Sequence, residues 1–87
     1  MRKFKTQDIK LEPTSIELTF NDTPVDVSMY TVSSHQLDDD HNYVEIKTEV
    51  IDAKKGIVMI TPVVAGKYYV QVSKDGNTLT LQNGMVE

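Results

Sequence analysis

Eighty-seven residues without cysteine or tryptophan, at a net charge of −4, make one small domain with neither a disulfide framework nor a thiolate metal site. A domain of this size hides roughly 60–65% of its unfolded surface, enough for one modest core but not for a deep, water-free catalytic cleft. No apolar run reaches the about 7–15 residues of a secretory signal or the about 18 of a membrane span, so neither export on its own signal nor a membrane partner is expected.

The chain opens on Met1-Arg2-Lys3-Phe4-Lys5-Thr6, which is basic around one aromatic residue. Residues 1–8 read as an arm, disordered alone and ordered on a partner, with Phe4 seated in an apolar groove while the cations meet acids. Arg2, Lys3, Phe4 and Lys5 are therefore candidate partner-binding residues. The domain proper is predicted over residues 9–87.

Within it, short segments of β character follow one another. The first is Ile9–Leu11, then Pro13 interrupts, because proline cannot donate to a ladder and is confined to breaks and sheet edges. In Ile16–Phe20 the alternation places Ile16, Leu18 and Phe20 on a core face and Glu17 and Thr19 on the other. Asn21-Asp22-Thr23 is predicted as a hairpin turn. The next segments are Val25–Val32, then Tyr43–Val50, whose β-branched residues favour a strand over a helix. Between these two, Ser33–Asn42 is polar and without period, and is predicted as a solvated loop. Ala53-Lys54-Lys55-Gly56 turns the chain into Ile57–Thr61, a continuous apolar run expected to be buried on both faces.

The sharpest local signal is Val70–Leu81, two alternating runs flanking Asp75-Gly76. Gly accepts the positive φ of a tight hairpin turn and Asp bonds its own backbone there. Tyr68, Val70, Val72, Leu79 and Leu81 are predicted to share the core face, with Tyr69, Gln71 and Ser73 outside. The predicted core is completed by Ile16, Leu18, Phe20, Val27, Ile46, Val50, Val58 and Ile60. Residues 82–87 either extend the last strand or fray. The pattern predicts an all-β chain of about seven short strands, a β-sandwich.

Charge is uneven. Arg2, Lys3, Lys5 and Lys10 face only Asp8 in the first ten residues, whereas residues 11–49 carry nine acids against Lys47. Nucleic acid is not expected on the folded body, since phosphate contacts need clustered Lys and Arg.

Three constellations invite a chemical reading. His35 and His41 flank Asp38-Asp39-Asp40, but zinc needs converging ligands and an EF-hand-type calcium loop needs alternating carboxylates with a central Gly. No metal is expected there. Ser33, Ser34, His35 and Asp38 hold the ingredients of a triad without a nucleophile elbow, and Gly56, Gly66, Gly76 and Gly84 stand singly, not as a phosphate cradle. No catalytic residue and no cofactor are predicted. Tyr30, Tyr43, Tyr68 and Tyr69 supply large amphipathic area; Tyr68 is assigned to the core, and Tyr69 joins the candidate partner-binding residues.

Taken in order, three segments resemble the group 2 bacterial immunoglobulin-like domain. They are Ile9-x-Leu11-x-Pro13-x-Ser15 with its alternating run, the Val50–Val58 turn through Asp52 and Gly56, and Ala65–Val72, where Tyr68 replaces a small residue. The tryptophan and serine-rich stretch usual before the central turn are replaced by Tyr43–Lys47. The resemblance implies an immunoglobulin-like β-sandwich and a non-enzymatic module of the kind found in adhesins and in capsid and tail proteins of bacteriophages. The expected function is accordingly a virion component, made in the host cytoplasm, that decorates a capsid or joins a tail and binds other virion proteins or itself. The alternatives are an adhesin or carbohydrate-binding module of a bacterial cell surface and, on the acidic middle region alone, a small inhibitor of a host enzyme.

Overall fold

The computed structural model describes residues 5–87, and every regular element in it is a strand. They are β1 (Lys5–Thr6), β2 (Thr14–Glu17), β3 (Thr19–Phe20), β4 (Thr23–Pro24), β5 (Thr31–Leu37), β6 (Tyr43–Asp52), β7 (Ile57–Thr61), β8 (Gly66–Lys74) and β9 (Asn77–Val86). Seven of them hydrogen-bond in the order β1-β9-β8-β5-β6-β7-β2, with β3-β4 as a separate hairpin. The ladder curls because β6 serves two layers. Its first residues, Tyr43–Ile46, pair with β5, and those from Lys47 onward pair with β7. A layer of β1, β9, β8 and β5 thus lies over one of β7 and β2, the predicted β-sandwich.

The core is what the two layers hide from water. Ile16, Leu18, Val58 and Ile60 from one side meet Tyr68, Val70, Val72, Leu81 and Val86 from the other, with Val27, Ile46 and Ile9 filling the margins. Leu18, Val58, Ile60 and Val70 are wholly buried, each side chain contributing about 1.5–3 kcal/mol of transfer free energy. Polar side chains share this interior. Ser34 Oγ bonds Thr48 Oγ1. Gln36 donates from Nε2 to the Val64 carbonyl at 2.6 Å and accepts from the Val63 and Val64 amides at 2.8 and 3.3 Å. Gln82 Nε2 donates to the Tyr68 hydroxyl at 3.0 Å, which donates to the Gln7 carbonyl at 2.6 Å.

Pro13 lies outside any strand, and β2 begins one residue later as the sheet edge. The Asp75-Gly76 turn has φ of 53° and 82°, and Asn21-Asp22 turns with φ of 52° and 66°. Both are left-handed pairs that match the twist of a tight hairpin. At the turn into β7, Gly56 has φ +70° and a Cβ there would strike the Val25 carbonyl oxygen, so glycine is required on two counts. The end of β9 does not fray: strand pairing runs to Val86.

Several expectations are corrected. Ser33–Asn42 is not a solvated loop. Its first half belongs to β5, a central strand between β6 and β8, because buried Ser34 and Gln36 satisfy their polar groups inside. Conversely, residues 25–30 form no strand; they lie against neighbouring backbone through the Val25 amide to Leu18 and the Val27 amide to Ala53. Ile9–Leu11 makes only a single bridge, Ile9 to Val86. Ile57 and Met59 are half-buried, so β7 buries one face fully and the other partly.

Phe20, Val50 and Leu79 are 36%, 45% and 42% exposed and lie outside the core. Phe20 sits on the separate hairpin, Val50 precedes a bulge in the β6–β7 register, and Leu79 reaches the open end of the sandwich. Lys5 and Thr6, read as part of an arm, pair in parallel with Gln82 and Asn83. Arg2, Lys3 and Phe4 lie outside the described residues.

Candidate functional site

Two surfaces carry exposed side chains able to meet another molecule. The first is the outer face of β9, β8, β5 and β6. His35 on β5 lies in register with Tyr69 on β8, and their rings stack at 5.1 Å between centroids and 20° between planes. On the other side His35 stacks on Tyr43 of β6 at 4.7 Å and 18°. These separations match the spacing of neighbouring strands, so the rings stand side by side, one per strand. Enclosure between two rings partly dehydrates the imidazole, and this burial lowers the His35 pKa below its ordinary 6.5. Tyr43, at the end of the row, is 66% exposed.

The row continues past Tyr69 without a ring. Asn83 of β9 is in register with Tyr69, and Thr6 of β1 with Asn83. Above Asn83 lies a depression of about 360 Å³, bordered by Tyr69, Thr6, Asp8, Lys67 and Met85. The Thr6 hydroxyl donates to Asn83 Oδ1 at 3.0 Å, and Asp8 Oδ1 accepts from the Met85 amide at 3.1 Å. Both polar side chains are thus tethered at the rim.

The second surface is a groove of about 910 Å³ at one end of the sandwich, between the β3–β4 and β8–β9 turns. Phe20, Val25, Val72, Leu79 and Leu81 give it an apolar lining, and Tyr30 closes one side with Lys74 Nζ 5.6 Å from its ring centre. Phe20, Tyr30 and Leu79 remain 36–42% exposed around it.

The residues expected to meet a partner are separated by this arrangement. Tyr69 is half-buried in the ring row, and Lys5 is exposed on the outermost strand, next to the residue that hydrogen-bonds Asn83. Tyr68 is in the core as expected. Of the would-be triad, Ser34 is buried against Thr48 while His35 stacks on the opposite face of the same strand, so the two point apart. His41 and Asp38 shape a turn: Asp38 accepts from the Asn42 amide at 2.8 Å and the Asp40 amide at 2.9 Å. These bonds, the Asn42 amide foremost, hold the Asp38 carboxyl below its ordinary pKa. Among the described residues no group of three or more His, Cys, Asp or Glu could hold a metal, and no helix is long and apolar enough to cross a membrane.

Sequence reasoning missed His35 as a stacking partner and missed the groove. The signal for the first was present: once β5 is a strand, His35 and Tyr69 fall on outward positions of adjacent strands. The groove had none, because its walls come from two turns far apart in the chain. Comparison of the chain with protein-family models, with curated proteins and with solved structures finds no match.

Proposed function

We propose that this protein is a non-enzymatic accessory module of a bacteriophage particle, decorating the capsid or joining the tail by binding other virion proteins. The observation that carries the reading is the end groove. Phe20, Tyr30 and Leu79 keep over a third of their surface in water, gathered around one apolar hollow. Exposed apolar surface gathered in one place marks contact with another protein. The resemblance of the Ile9–Ser15, Val50–Val58 and Ala65–Val72 segments to group 2 bacterial immunoglobulin-like domains, which occur in adhesins and in bacteriophage capsid and tail proteins, supports a module of such an assembly. Lys5, on the outermost strand, supplies an exposed cation for an acidic neighbour.

The test is mass spectrometry of purified particles, with the chain expected in stoichiometric amounts relative to a capsid or tail protein. Leu79→Asp, which places a charge in the groove, is expected to release it from the particle while the isolated domain stays folded. A chain absent from particles, or one retained equally with Leu79→Asp, overturns the reading.

A further inference from the structure

The row of rings on the outer face stops at β8. Three rings stand side by side there, Tyr69 in register with His35 and Tyr43 diagonal to it beside Glu45, at centroid spacings of 5.1 and 4.7 Å. On the next strand the position belongs to Asn83, whose side chain is short and is tied toward β1 by the Thr6 hydroxyl. The depression above it is bounded on one side by Tyr69, whose other side is taken by His35.

We infer that this depression is a binding site for a single neutral pyranose ring, the fourth member of the row, stacked on Tyr69 and hydrogen-bonded by Asn83, Asp8 and Lys67. A sugar ring presents an apolar face of C–H groups to an aromatic ring and a periphery of hydroxyls to polar side chains. The slot offers that combination: an aromatic wall, a carboxylate that accepts, an ammonium that donates and an amide whose Nδ2 remains to donate. Its volume of about 360 Å³ suits one ring.

An aromatic side chain from a protein partner would cover the Tyr69 wall but offer nothing to Lys67 or to the second Asp8 oxygen, which hydroxyls can meet. A nucleotide's phosphate would have to settle beside the Asp8 carboxylate as well as the Lys67 ammonium. One ring held at one open wall binds weakly, with a dissociation constant on the order of 1 mM.

This site is distinct from the end groove and does not depend on the virion reading. A particle protein and a cell-surface protein would use it alike, and particle mass spectrometry leaves it untouched. The experiment is a titration of the isotopically labelled full chain, followed by amide chemical shifts, with methyl α-glucoside, methyl β-galactoside and N-acetylglucosamine. N-acetyltyrosine amide and uridine monophosphate are titrated in parallel.

Saturable shifts confined to Thr6, Asn83 and Met85 and their neighbours are expected with at least one sugar. Tyr69→Leu is expected to weaken them at least tenfold. Asn83→Phe, which supplies the missing ring from the protein itself, is expected to abolish them while the remaining spectrum is unchanged. The inference is overturned by the absence of saturable shifts with all three sugars, by shifts that persist in Asn83→Phe, or by tighter binding of N-acetyltyrosine amide or the nucleotide than of any sugar.

Discussion

Two neighbouring positions on the β5–β8 ladder show how burial alone divides a strand pair between architecture and surface. Gln36 faces Tyr68 inside the sandwich, and one residue away His35 faces Tyr69 outside. The inner pair is fully buried, and its polar atoms are committed: the Gln36 amide group spans three bonds to residues 63 and 64, and the Tyr68 hydroxyl joins Gln82 to Gln7. The outer pair makes a stack, with water still in reach. Inside, an unpaired polar atom costs its full dehydration, so each must find a partner or be absent. Outside, the same backbone tolerates an incomplete row, and incompleteness leaves room for a ligand.

If that division is right, the largest effects belong to the inner pair. Gln36→Leu keeps the volume and removes the bonds that fasten residues 63 and 64, stranding two amides and a carbonyl. A loss of about 3 kcal/mol is expected in urea unfolding. A loss below 1 kcal/mol would show that water replaces Gln36 and that the seam is not closed.

Tyr68→Phe is expected to cost about 2 kcal/mol, since it frees the Gln7 carbonyl and leaves Gln82 with neither end paired. Tyr68 also makes an alkaline prediction. Burial raises its pKa above the ordinary 10.0, so above that pH the unfolded chain releases the proton first and the folded state holds more protons. Stability is then lost as pH rises beyond 10.0, and the loss shrinks in Tyr68→Phe. Gln82 supplies the control of intermediate size. Its Oε1 is buried with no partner among the described residues. Gln82→Met, which removes that orphan, is expected to change stability by less than about 1 kcal/mol in either direction, far less than Gln36→Leu.

The same division explains what could be read from the chain. Where inward positions are apolar, as in Ile16–Leu18, Val58–Ile60 and Tyr68–Val72, alternation announces both strand and core. Where they are polar, as in Ser34 and Gln36, the central strand of the sandwich reads as a loop, because the partners that make burial tolerable, Thr48 and residues 63 and 64, are remote in sequence. Bulges defeat alternation in a different way. Val70 pairs with Gln82 but Gln71 with Thr80, so Leu81 is an extra residue, and Leu81 and Gln82 are both buried in succession. The predicted hairpin face nevertheless survives the bulge: Leu81 is buried, and Leu79 lies opposite Val72 and is exposed only because it reaches the open end of the sandwich. Of the surfaces, Tyr69 was legible as an outward tyrosine; the slot beside it depends on the pairing of β1 with β9, two ends of the chain that no local pattern connects.

Outside, the expected effects fall by several-fold. Tyr43→Ser removes one stacking contact from a ring already 66% exposed, and about 0.5 kcal/mol or less is expected. A larger loss would mean that the row is part of the fold's framework, not a surface laid on it.

The smallest effect is the most specific to the row. Burial between Tyr43 and Tyr69 lowers the pKa of His35 below 6.5, so as pH falls through that value the unfolded chain takes up a proton before the folded state does. The contribution to stability is present at neutral pH and declines on acidification. Tyr43→Ser opens one side of the imidazole and should bring its titration back toward 6.5, measured by the shift of its ring protons with pH. His35→Gln should remove the accompanying slope in stability below 6.5 while leaving the alkaline limb set by Tyr68 in place. If acidification acts equally on His35→Gln and on the parent, the imidazole is not held by its neighbours, and the side-by-side arrangement that defines the vacant fourth position is too loose to select a ligand.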